Sequence, residues 1–258
     1  LPTGGNPVAT KLEVDGGGGS DDVTLTPNSG MRFDSILAGS HLSLNAEQVN
    51  VNVLVQLGTT TSTGGDFISA GTDYTSNSGG VIDTNGGAVH LNETGDVNLA
   101  GRITGGSISM PSLNSLTSTV PLKTIEGDLS IVAASGISLN GAAATLDTAK
   151  TGTLAVGNIA LNAGGSVTLP LLRTDGGSAT ISGDSIAFTS VNTNINTQTT
   201  AISGAVTLTA QPGGSISLAM LAQTGSFSAT GADTFTSAGI KSNSGDIVVH
   251  VADSITVA

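Results

Sequence analysis

The residues of this chain with the chemistry to cut a bond or hold a metal are three histidines, four acids that follow a glycine at a predicted strand start, and one acidic cluster. The histidines are His41, His90 and His250. His90 stands between Val89 and Leu91, and His250 between Val249 and Val251, so a period-two strand turns both outward. They are 160 residues apart, too far along a repeating chain to share a metal or a nucleophile–base pair. The acids Asp66, Asp96, Asp128 and Asp246 each follow a glycine at the start of a predicted strand. A calcium ladder would need carboxylates on successive repeats, because Ca²⁺ takes 6–8 oxygens within about 2.6 Å. Counted at a period of about 20, the corner column reads Asp66, Ala88, Ser107, Asp128, Ser166, Ser185, Ala205, Ser226, Asp246. Small residues separate its acids, so Gly-Asp reads as turn chemistry. Asp15, Asp21 and Asp22 form the one cluster with a cation-binding composition, and an acidic loop is the better account of it.

Other chemistries find less. Glycoside cleavage needs two carboxyl groups across a sugar cleft, and such clefts use aromatic platforms. The predicted outward columns are mostly Ser, Thr and Ala, and Tyr74 is the single tyrosine. "DGGGGSDD" (15–22) lacks the Gly-Lys-Ser/Thr of a phosphate loop. The outward column Ile68, His90, Ser109, Ser130, Thr168, Ala187, Thr207, Ser228, Val248 is too irregular to match an ice lattice. No catalytic, cofactor-binding or metal-ligating residue is assigned, and no cofactor is expected.

The elements that must carry these residues are set by composition. Charged residues are 10% of the 258, against roughly 25% in ordinary domains. Glycine reaches 37, with only 7 prolines, which excludes collagen and Pro-Gly disorder. There is no cysteine, hence no disulfide framework or thiolate site. Seven basic against nineteen acidic residues give a net charge of −12, which repels nucleic acid and anionic lipid. No apolar run is long enough to span a bilayer as a helix, so no membrane insertion is expected.

One phrase recurs: "GGAVHL" (86–91), "GGSISM" (105–110), "GGSVTL" (164–169), "SGAVTL" (203–208) and "SGDIVV" (244–249). The first apolar residue of each phrase forms one series: Phe67, Val89, Ile108, Leu129, Val167, Ile186, Val206, Phe227, Ile247, with a missing member near Leu146. A second series reads Val97, Ile137, Ile159, Ala179, Ile216, Phe235, Ile255. Both step by about 20, and apolar residues alternate with Ser, Thr or Asn inside each strand. One such unit cannot bury its own apolar face; stacking units does. The chain is predicted to be all-β, a parallel β-helix (β-solenoid) of about eleven coils of roughly 20 residues between Leu42 and Val257. At about 4.8 Å per coil it would be a rod on the order of 50 Å long. Glycine makes the corner, through positive φ or close backbone approach. Residues 1–38 read as an N-terminal cap or irregular first coil, and 39–258 as a shaft ending on "ADSITVA" without an evident cap.

"GGSVTL", "GDVNLAG" (95–101), "GNIALNAGG" (157–165) and "SGISLNG" (135–141) resemble the filamentous haemagglutinin-like exoproteins of bacterial two-partner secretion. "LPTGG" (1–5) is similar to the mature start of such proteins. The resemblance implies a right-handed β-helix, passage through an outer-membrane transporter, and a place outside a Gram-negative-type cell, secreted or on its surface. It implies a non-enzymatic role as adhesin, filament or shaft. The expected partners are a second copy stacked head to tail or the continuation of a longer exoprotein, and a receptor on a host or neighbouring cell. The competing expectation is a polysaccharide-cleaving enzyme on the same scaffold.

Overall fold

The computed structural model describes residues 11–15, 22–25, 31–33, 41–52, 54–57, 65–125, 127–140, 144–148, 157–174, 176–189, 195–197, 204–218, 222–242 and 244–258. Among them there is no helix; every element is a short strand. Every strand pairing among the described residues is parallel and joins a strand to its equivalent about one repeat later, as in Leu129↔Ile159, Ile137↔Val167 and Leu122↔Leu146. The chain is therefore a β-solenoid. Each coil lays one strand on each of three faces: Leu129–Ala133, Ile137–Leu139 and Thr145–Asp147 make one coil. The first two faces join into one twenty-stranded sheet, and the third is a ten-stranded sheet. They join because His41–Val51 and Phe67–Ser76 run as single long strands across both.

Alternation decides what lies inside. In Val206–Ala210, Val206, Leu208 and Ala210 are buried while Thr207 and Thr209 face out. Coil on coil, the inward residues form columns. Phe67, Val89, Ile108, Leu129, Ile159, Ala179, Val206 and Phe227 line the first face, none more than 1% exposed. Tyr74, Val97, Leu116, Ile137, Val167, Ile186, Ile216 and Phe235 line the second. Near the C-terminal end Phe227 and Phe235 meet edge to face across the interior, ring centroids 6.1 Å apart.

Two features differ from the sequence reading. The predicted columns change face midway. Val167 and Ile186 belong to the second face, and Ile159 and Ala179 to the first. Leu146, expected in the first series, stacks on the third face between Leu122 and Leu172. The reason is coil length. Leu129 to Ile159 is a 30-residue coil, so counting by 20 lands on the wrong face. The 27-residue coil from Ala179 to Val206 restores the phase. Long coils also lower the count: between Leu42 and Val257 the first face carries ten strands, where about eleven were predicted. Below them, Lys11–Asp15 and Asp22–Leu25 pair with the two halves of His41–Val51, and Met31–Phe33 pairs with Val55–Leu57.

The corner from third face to first explains the recurring glycine. A β-carbon on Gly106, Gly157, Gly177 or Gly204 would sit 1.9–2.2 Å from the carbonyl oxygen of a glycine in the coil below. Close approach excludes any side chain there, whatever the φ. The corner is closed from inside by a column of hydroxyls. Thr84, Thr124, Thr148, Thr174 and Thr197 are buried and donate to the carbonyls of Gly87, Gly127, Gly157, Gly177 and Gly204, at 2.5–2.7 Å. Thr174→Val keeps the shape and leaves the Gly177 carbonyl without its donor. A loss of about 1–3 kcal/mol is expected in denaturant titration. Thr174→Ser should recover most of it; equal stability of the Val variant and the parent would refute the role.

Candidate functional site

Besides the buried corner threonines, polar contacts gather in ladders on the outer corners and in a cluster around Glu93 inside. At the corner before the first face, the Ala88 amide donates to Asp66 Oδ1 at 2.8 Å, and the Asn158 amide to Asp128 Oδ1 at 2.7 Å. The column continues as the Ser178 amide donates to Asn158 Oδ1, 2.9 Å, and the Ala205 amide to Ser178 Oγ, 3.3 Å. At the next corner the Asp96 amide donates to Asp73 Oδ1, 2.7 Å. Asp96 Oδ1 in turn accepts from Ser115 Oγ at 2.7 Å and Asn114 Nδ2 at 2.8 Å. Ser135 Oγ donates to Asn114 Oδ1 at 3.0 Å. The Ser115 hydroxyl, then the Asn114 amide, hold the Asp96 carboxyl below the usual carboxylate range. Each of these carboxylates takes a donor from the following coil and locks its register.

The sequence-predicted residues are accordingly dispersed. Asp66, Asp96 and Asp128 sit in separate corner contacts, and Asp246 is exposed near the C-terminal end. His90 is half-buried on the outer surface and His250 is exposed; the His41 side chain lies outside the described residues. The acidic cluster Asp15, Asp21 and Asp22 also lies outside the described side chains. Among the described residues no three His, Asp or Glu side chains are placed to hold one metal ion. One surface depression, lined by Gly231, Ala232 and His250–Ala252, carries no carboxylate; another, lined by Asp184, Ser185 and Gln211–Gly214, carries one.

The inner cluster was not assigned from the sequence. The strand Val89–Glu93 buries Val89, Leu91 and Glu93, so an acid stands at an inward position. The corresponding first-face strands end on Leu113, Ala133, Ala163, Gly183 and Ala210. Glu93 is 0% exposed and pairs in register with Gly71 of the coil below. Gly71 makes the room: a β-carbon there would lie 3.1 Å from Glu93 Oε2 and 1.9 Å from the Ala46 carbonyl oxygen. Ser69 Oγ donates to Glu93 Oε1 at 2.5 Å. Among the described residues, Glu93 Oε2 and the hydroxyl of the buried Tyr74 have no hydrogen-bond partner. Burial is the main force on Glu93. It pushes the carboxyl up to about 7; the Ser69 hydrogen bond opposes it and the negative Asp73 adds to it. Burial, then the charge of Glu93, also raises Tyr74. The signal for Glu93 was legible, since "VHLNE" places it two residues after Leu91 in the inward phase.

The arrangement can hold a proton on a carboxyl inside the rod and hold coil register outside it. Compared with known proteins, the chain matches no protein-family model, no curated protein and no solved structure.

Proposed function

We propose that this chain is a non-enzymatic structural shaft outside a Gram-negative-type cell, secreted through an outer-membrane transporter, that builds filaments or carries adhesion by coil-on-coil stacking. The observation that carries the reading is the unbroken stack: the described coils pair strand on strand, all parallel, from Phe67↔Val89 through Leu129↔Ile159 to Phe227↔Ile247 and Phe235↔Ile255. The unit that extends such a stack is another coil of the same repeat, from a second copy or from the continuation of a longer exoprotein. Long apolar columns and small outward Ser and Thr residues support a scaffold role. The family resemblance of "GGSVTL" and its relatives supports the export route and a receptor on a host or neighbouring cell.

Electron microscopy of the purified chain at rising concentration tests the reading. Uniform filaments one solenoid wide are expected. Single rods at every concentration would overturn stacking between copies.

A further inference from the structure

Glu93 is a carboxyl placed where only its neutral form fits. The groups around it come from three strands. Phe67–Ser76 supplies Ser69, Asp73 and Tyr74; His41–Val51 supplies the Ala46 carbonyl beside Gly71 and the inward Leu44 and Val49; Ile108–Leu113 turns Met110 and Leu113 inward. Of these groups, Asp73 is the one with a charge, and its sign matches a carboxylate. Among the described residues, one Glu93 oxygen has a single hydroxyl donor and the other has none. An ionised carboxylate there would be a buried charge without a counter-ion.

A solenoid passes such a penalty only to its neighbours, because each coil touches the coils above and below. We propose that Glu93 is a proton-operated latch: neutral, it lets the coils between His41 and Leu113 stack closed, and its ionisation loosens that segment while the distal coils stay intact. The sign is the reverse of an ion-paired acid. The folded form holds its proton more tightly than the unfolded chain, so the latch is fully closed below the ordinary glutamate range and is lost as pH rises through about 7.

Amide hydrogen exchange on the whole chain, at pH 5 and pH 8 and corrected for intrinsic rates, tests this. Amides of Phe67–Ser76 and Val89–Glu93 should open on the order of 100-fold more often at pH 8, while Ile159–Leu218 keep their protection. In Glu93→Gln, neutral at both pH values, the difference should vanish, which separates Glu93 from every other titrating group. Equal protection at both pH values, or the same pH dependence in the variant, would overturn the latch. If the variant does not fold, a carbon-13 titration of the parent's four glutamate carboxyls decides. One must titrate near pH 7; all four in the ordinary range would refute the proposal.

Discussion

Leu208→Asp is expected to unfold the middle of the rod. Leu208 is 0% exposed and stacks between Ile181 and Ala229 in the first-face columns. Removing it forfeits about 1.5–3 kcal/mol of apolar burial. The aspartate adds a penalty of several kcal/mol for a carboxylate in the interior, where neither the Ile181 nor the Ala229 side chain can pair with it. The sum, more than about 5 kcal/mol, is comparable to the whole stability of an ordinary domain. Because coils couple only to their neighbours, the damage should centre on Ala179–Thr230. Circular dichroism melting with protease mapping would show an early transition and cuts within those coils. Thr207→Asp, one residue away on the outward side, should change stability by about 0.5 kcal/mol or less. A Leu208→Asp protein that melted like its parent would mean the inward register is wrong.

Gly177→Ala should be a severely damaging single-methyl change. Its β-carbon would lie 2.0 Å from the Gly157 carbonyl oxygen and 2.8 Å from the carbonyl carbon. Both are backbone atoms of the coil below, pinned by the Thr148 hydroxyl, so neither can swing aside. The coils must part at that corner, and a loss of about 3 kcal/mol or more is expected. Gly213 provides the contrast. Nothing lies within 4 Å of its β-carbon position, but its φ is +88°. Gly213→Ala therefore carries only the left-handed backbone penalty, about 1–2 kcal/mol. At roughly 2–4 °C per kcal/mol for a chain of this size, the two midpoints should separate clearly. Equal midpoints would show that the corner can spread, and that packing of coil on coil is not what selects its glycine.

Much of this architecture was legible in the chain. Period-two alternation within "AVTLTA" (205–210) and the return of the same phrase about every 20 residues require half-buried strands that bury one another, and stacking is the one arrangement that does so for every unit. The inward placement of Leu208, Val89 and Ile216 follows from local pattern alone, because a strand has only two sides. What could not be counted was the face. Alternation repeats identically on all three faces, so it carries no label for which of them a strand joins. The 30 residues between Leu129 and Ile159 moved a fixed count onto the neighbouring face.

The polar chemistry divides the same way. That Gly-Asp marks a corner was readable from the turn preferences of both residues. That Asp128 accepts the amide of Asn158, and Asp96 the hydroxyl of Ser115, depends on which coil lies above. Glu93 stood in an inward phase from the start, but its state depends on what surrounds it: Gly71, which leaves room for it, Ser69, its single donor, and Asp73, which repels its charge. The strands, their inward sides and the need to stack follow from neighbours within a few residues, which is why the chain's own pattern carries them. The register between coils, and with it every contact in which one coil supplies the donor and the next the acceptor, is set by packing between residues far apart in the chain.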